Sequence, residues 1–168
     1  MAPTEALDGT RAWIGLGSNL DDPSMQVRRA LGALARLPRS RLLRHSRLYR
    51  TAPWGITEQP AFVNATAELA TTLKPHALLD ALLAIERAQG RRRDDTRWGP
   101  RTLDLDLLVY GDRQSVEPGL ILPHPHIAER AFVLVPLAEL DPNLAIPGAG
   151  AVRALLARVD GAACVPID

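Results

Sequence analysis

Asp104 and Asp106 stand one residue apart in the run Trp98-Gly99-Pro100-Arg101-Thr102-Leu103-Asp104-Leu105-Asp106-Leu107-Leu108. An extended chain turns successive side chains to opposite faces. Leu103, Leu105 and Leu107 therefore share one face of a strand, and both carboxylates share the other. Two like charges this close at the edge of a buried sheet repel each other and resist desolvation. A divalent cation answers both costs. Mg²⁺ takes carboxylate oxygens at roughly 2.0–2.1 Å, keeps several waters and completes its shell with substrate phosphates. Two readings stand on residue types alone. In one, the aspartates lie on a solvated face or are each neutralised by an arginine. In the other, they hold metal against a polyphosphate, and guanidinium groups grip the remaining oxygens. The second is favoured by Arg91, Arg92, Arg93, Arg97 and Arg101 just upstream, and by the continuation into Leu107-Leu108-Val109, which reads as a strand entering a core.

The elements that must position this pair follow from periodicity. Ala12 to Gly17 reads as a first strand, with Gly17-Ser18-Asn19 as a turn. Asp22-Pro23 signals a helix start, with Asp at the N-cap and Pro in the first turn. Val27, Ala30, Leu31, Leu34 and Leu37 then recur at helical spacing up to Pro38. Arg41 to Tyr49 fits a strand with Leu42 and Leu48 inward. Arg50 to Pro60 has no apolar period and reads as a loop, and Phe62 to Leu69 as a strand. Pro75 opens a second helix carrying Leu78, Leu79, Leu82, Leu83 and Ile85, and Gln89-Gly90 stops it. The arginine-rich loop and the Asp-bearing strand follow. The order strand–helix–strand–strand–helix–strand is the split βαβ, ferredoxin-like order, and predicts an α+β fold with a βαββαβ core. Beyond Gly111 the two prolines of Leu122-Pro123-His124-Pro125-His126 predict an extended segment. Ala131 to Leu140 and Val152 to Val159 predict a C-terminal helical extension.

The 168 residues are expected to form a single domain, with residues 1–11 a loose N-terminal extension. A hydrophobic share of 46% and a charged share of 23% place the chain in the globular class. The net charge of +1 gives no global field for nucleic acid, so basic character is confined to Arg91–Arg101. Lys74 is the sole lysine, and the single Cys164 excludes an internal disulfide and suits a reducing compartment. No secretory signal or membrane-length apolar run appears. A cytoplasmic, monomeric protein is expected, without nucleic-acid or membrane partners.

Four blocks, in order, carry a resemblance. They are Gly15-Leu16-Gly17-Ser18-Asn19-Leu20, then Leu48-Tyr49-Arg50-Thr51 with Gln59-Pro60-Ala61-Phe62-Val63-Asn64-Ala65. The third runs from Ile85-Glu86 through Gly90-Arg91 to Asp106, and the fourth is Pro123-His124-Pro125 with Arg130. Together they resemble the 6-hydroxymethyl-7,8-dihydropterin pyrophosphokinases of folate biosynthesis, over about Trp13 to Leu140. The resemblance implies the same ferredoxin-like fold. It implies an ATP- and magnesium-dependent transfer of the pyrophosphoryl group of ATP to the hydroxymethyl oxygen of the pterin, with AMP leaving.

The resemblance also implies roles. Asp104 and Asp106 would bind two Mg²⁺ bridging the ATP phosphates and the pterin oxygen. Arg91, Arg93 and Arg101 would act on the phosphates, a task suited to an always-charged, bidentate guanidinium; Arg92 and Arg97 read as solvated. Glu86, Arg93, Trp98, Arg101, Leu107, His124 and Arg130 match nucleotide positions. Thr51, Ala52, Pro53, Trp54, Phe62, Asn64, Trp98 and Phe132 match the pterin pocket, where aromatic rings stack on a flat heterocycle and an amide donates and accepts along its edge. Trp98 is expected on a lid over the substrates. The bland alternatives are core packing for Phe62 and Phe132, an anchoring aromatic for Trp98 and a structural His124. Ala52, Trp54 and His126 depart from what is frequent among relatives, which affects fine pocket shape rather than the metal or phosphate residues. A nucleic-acid module using the arginine loop is disfavoured by the near-neutral charge and few aromatic platform residues. A P-loop kinase is excluded because no Gly-x-x-x-x-Gly-Lys-Ser/Thr motif is present.

Overall fold

A computed structural model describes residues 9–52, 58–90 and 102–167. The core elements are β1 (Thr10–Ser18), α1 (Pro23–Ala35), β2 (Ser40–His45), β3 (Tyr49–Thr51), β4 (Phe62–Thr71), α2 (Pro75–Ala88) and β5 (Asp104–Tyr110). β4 lies between β1 on one side and β2 with β3 on the other, and β5 pairs with the far side of β1. Every pairing is antiparallel. With β2 and β3 counted as one interrupted strand, this is the ferredoxin-like βαββαβ core.

The sheet is covered on both faces, apolar toward α1 and α2 and mixed on the other, where Asn64, Thr66 and Glu68 are buried among apolar residues. Ile14 and Leu16 of β1, Val63, Ala65, Ala67 and Leu69 of β4, and Leu103, Leu105 and Leu107 pack under Val27, Ala30 and Leu34 of α1 and Leu78 and Leu82 of α2. On the opposite face Trp13 and Leu108 meet α3 (Ala131–Leu140) and α4 (Val152–Leu156). The leucines of the Asp-bearing strand thus lie on the α1/α2 face, as the alternation requires. A register shift at Trp13/Ile14 sets Val109 opposite Trp13 but Leu107 opposite Ile14. Leu108 is the extra residue of this bulge, and both Leu108 and Val109 join the α3 side.

Several expectations are corrected. The strand expected over Arg41–Tyr49 is two strands, because Ser46 interrupts the ladder: its Oγ takes the Thr66 N–H at 3.0 Å. Arg50 and Thr51, expected in a loop, belong to β3. Thr10 and Arg11 pair with Thr71 and Ala70, so the loose segment does not reach residue 11; residues 1–8 lie outside the described ones. Asp22 occupies the N-cap of α1 but sits at φ 60° and makes no side-chain cap bond. Pro38 does not end α1, which stops at Ala35. The Pro-His-Pro segment is extended only to Leu122; it then turns into a 3₁₀ turn at Ile127–Glu129. The last helix ends at Leu156, short of Val159. The C-terminal extension also holds strands the periodicity did not announce. They are the hairpins β6 (Ser115–Glu117) with β7 (Leu120–Leu122) and β8 (Ala145–Ile146) with β9 (Gly150–Ala151), and β10 (Val165–Pro166), which pairs with β3.

Candidate active site

Cross-strand register builds the site. Residues directly opposite in an antiparallel pair share a face. Gly17 faces Asn64 on one side and Asp104 on the other; Gly15 faces Thr66 and Asp106. Each carboxylate is therefore separated from a polar residue of β4 by a glycine, and the two glycines leave an open floor. A Cβ on Gly17 would lie 2.7 Å from Asn64 Oδ1.

Around this floor is a cleft. Asp104 and Asp106 line one wall. Thr51, Ala52, Phe62 and Asn64 line the opposite one, and Arg130, at the N-cap of α3, and Phe132, in its first turn, close it. Asn64 Nδ2 donates to Thr51 Oγ1 at 2.6 Å, which fixes the amide's orientation. The Arg130 guanidinium sits 5.5 Å over the Phe132 ring. The chemistry of this lining is an amide and a hydroxyl for a polar edge, two phenyl rings for a flat body and two carboxylates at one end.

A second cleft opens along β5 and the β6–β7 hairpin. Leu79, Leu105, Leu107, Leu120 and Leu122 make it apolar, with His124 and Pro125 at its side. Asp106 lines both clefts. His124 hangs on β5 through its own N–H, which donates to Leu108 O at 2.9 Å. Burial, followed by the charges of Arg130 and His126, pushes its pKa down to about 4. Its ring is neutral at neutral pH. Nδ1 accepts the His126 N–H at 3.2 Å, which assigns the ring proton to Nε2.

Glu86 lies elsewhere than the surface of either cleft. It is 3% exposed, and its Oε2 accepts the Leu105 N–H at 2.7 Å, tying α2 to the Asp-bearing strand. Pro53, Trp54, Arg91, Arg92, Arg93, Arg97, Trp98 and Arg101 lie outside the described residues. Among the described residues no group of three or more His, Cys, Asp or Glu side chains converges. Two carboxylates on an open floor suit an ion that fills most of its shell with water and substrate oxygens, which is the habit of Mg²⁺.

Positioning residues that spacing did not reveal stand around the clefts. Asn19 Nδ2 donates to Gln59 Oε1 and Pro60 O at 2.9 and 3.0 Å, joining the end of β1 to the start of β4. Gln89 Nε2 donates to the backbone and side-chain oxygens of Gln26, both at 3.0 Å, joining α2 to α1. Asn19, Gln59 and Gln89 had a signal in their places within the matched blocks; Gln26 had none.

Comparison with known proteins identifies the family. Residues 13–142 match the family model described as 7,8-dihydro-6-hydroxymethylpterin-pyrophosphokinase (HPPK). A 2-amino-4-hydroxy-6-hydroxymethyldihydropteridine pyrophosphokinase of Pseudomonas aeruginosa is 52% identical over 147 residues, covering 88% of this chain and 90% of the relative. The protein of the same name from Methylorubrum extorquens is 48% identical over 151 residues, covering 90% and 94%. Among solved structures, an HPPK-DHPS crystallised with substrates superposes with a TM-score of 0.69 at 13% identity, over 89% of this chain. Plasmodium falciparum HPPK-DHPS A437G gives 0.68, also over 89%. This chain spans 43% and 42% of those two longer chains, and at that identity the likeness speaks for the fold. The chain belongs to the 7,8-dihydro-6-hydroxymethylpterin-pyrophosphokinase family, and its reaction is the transfer of the pyrophosphoryl group of ATP to hydroxymethyldihydropterin in folate biosynthesis, leaving AMP.

Proposed function

We propose that the first cleft takes the pterin, that the second takes the nucleotide, and that Asp104 and Asp106 hold two Mg²⁺ where the clefts meet. The observation that carries this is Asp106, which lines both clefts. A group passed between two bound molecules has to cross at a point common to both sites. Bound there, Mg²⁺ neutralises charge on the transferred group and aligns the two reactants.

The chain's own residues supply the rest. Asn64, oriented by Thr51, offers an amide to the donor–acceptor edge of the pterin, and Phe62 and Phe132 offer rings to its faces. The apolar second cleft suits a nucleobase, with Leu107 in its wall and His124 presenting Nε2–H as a donor. Arg130, 8% exposed on the first cleft, carries a fixed positive charge toward incoming phosphate. Arg91, Arg93, Arg101 and Trp98 are assigned to phosphate and substrate contacts by their matched positions, as are Pro53 and Trp54 to the pterin side. Glu86 is proposed to serve the nucleotide through β5, by holding the strand that separates it from the metals.

The whole chain is proposed to act as one catalytic domain, a monomer in the cytoplasm. No helix among the described residues is long and apolar enough to cross a membrane.

The test is product analysis. With ATP, Mg²⁺ and 6-hydroxymethyl-7,8-dihydropterin, pterin-dependent AMP is expected and is abolished by a chelator. The site assignment is checked by Phe62→Ala and Leu107→Ala. The first should raise KM for pterin alone and the second KM for ATP alone. If both variants shifted the same KM, the two-cleft assignment would fall.

A further inference from the structure

Helix α3 carries Phe132 at its start and Glu139 near its end. Its sequence Ala-Phe-Val-Leu-Val-Pro-Leu-Ala-Glu-Leu has one polar side chain, Glu139. Apolar contacts hold such a helix against the sheet, but they are not directional and fix its sliding and rotation poorly. Pro136 lacks the N–H that would bond to the Phe132 carbonyl, so the turn bearing Phe132 is also loosened from within.

Glu139 supplies the missing directionality. Its Oε1 accepts the Tyr49 hydroxyl and the Arg47 Nε–H, the latter at 3.2 Å. Its Oε2 accepts the Arg47 backbone N–H at 3.0 Å. Three donors from the entry to β3 thus converge on one carboxylate. Tyr49 stands directly opposite Asn64, and Thr51 follows two residues on, so the strand gripped here is the one that orients the amide of the first cleft. Along the helix, seven residues bring the chain within about 20° of the same direction, about 10 Å away. Glu139 and Phe132 therefore share a face of α3, and a register set at one is set at the other.

We propose that Glu139 is a positioning residue for the pterin: by tying α3 to β3 it fixes Phe132 opposite Thr51 and Asn64. This rests on the reading of the first cleft as the pterin site. Glu139 touches no substrate and acts through Phe132 and Tyr49.

The experiment compares Glu139→Ala, Glu139→Gln, Tyr49→Phe and Phe132→Ala for kcat, both KM values and melting temperature. Glu139→Ala is expected to raise KM for pterin about tenfold with KM for ATP unchanged, as a small misplacement of a binding group would. Glu139→Gln should recover much of the loss, because its amide oxygen still accepts the Tyr49 hydroxyl. Tyr49→Phe removes one bond only and gives the same split, smaller, should Glu139→Ala fail to fold. A fall in melting temperature with both KM values unmoved, or a parallel rise in both, would overturn the proposal. If Phe132→Ala raised KM for pterin and the Glu139 and Tyr49 variants did not, the positioning role alone would be lost. If Phe132→Ala left it unchanged, the cleft assignment would fail and the proposal with it.

Discussion

Gly17 and Asn64 are cross-strand partners so close that a Cβ on the glycine would stand 2.7 Å from the amide oxygen. Gly17 needs no special backbone angle; what it provides is room. Asn64 cannot retreat freely, because its nitrogen is held at 2.6 Å by Thr51 Oγ1. Gly17→Ala should therefore twist the amide out of its orientation while the strand still forms. The expected result is a rise of about tenfold in KM for pterin with KM for ATP unchanged. Steady-state kinetics with each substrate varied in turn decides it.

Asp104 and Asp106 share one face, with a glycine of β1 opposite each. Replacing either by Asn keeps size and shape and removes one metal-binding charge. Turnover should fall by about a thousandfold, the upper range for losing a preorganised electrostatic group. Melting temperature without metal should hold or rise, since the repulsion between the pair is relieved. AMP release and a thermal melt in chelator, run on the same preparation, separate the two effects. Near-normal turnover in either variant would remove it from the metal assignment.

Glu86 makes a stability prediction. The carboxylate is 3% exposed and accepts the Leu105 N–H on the strand that bears both aspartates. Glu86→Ala leaves that amide without this acceptor in a buried place, at a cost of about 1–3 kcal/mol. Glu86→Gln keeps an oxygen within reach and should cost less. Urea unfolding of the two variants gives the comparison, and equal losses would show that the hydrogen bond is not what matters.

The legible parts of this molecule were those governed by short periods. Alternation of Leu and Asp put the leucines on the α1/α2 face and the carboxylates on the other, because strand geometry has a period of two. Apolar spacing gave α1 and α2 for the same kind of reason. What the sequence could not announce depends on partners far along the chain. Ser46 interrupts the second strand only because its hydroxyl meets the Thr66 N–H. Nothing near Glu86 in the chain announces that its carboxylate accepts the backbone N–H of Leu105, nineteen positions on. Glu139 is one acid in an apolar helix until Tyr49, ninety residues back, is found donating to it. Asp22 carries the right residue type for a cap, but its left-handed φ of 60° comes with no side-chain cap bond.

His124 gives the site a pH dependence whose direction follows from its burial. Burial, then the Arg130 and His126 charges, lower its pKa from 6.5 to about 4. Between those values the unfolded chain binds a proton that the folded chain does not. Stability from this group is therefore complete above about pH 6.5 and is lost as pH falls toward 4. From pH 7 to pH 5 the loss is about 2 kcal/mol. His124→Gln removes the titration, and its stability should fall by that much less over the same interval. Every other ionisable group is common to the two proteins, so the difference between the two curves isolates His124. Urea unfolding in chelator at pH 7, 6 and 5 is the measurement. Parallel curves would mean that His124 takes up its proton as readily folded as unfolded. A neutral Nε2–H donor beside the second cleft would then be the wrong description of its ring at low pH.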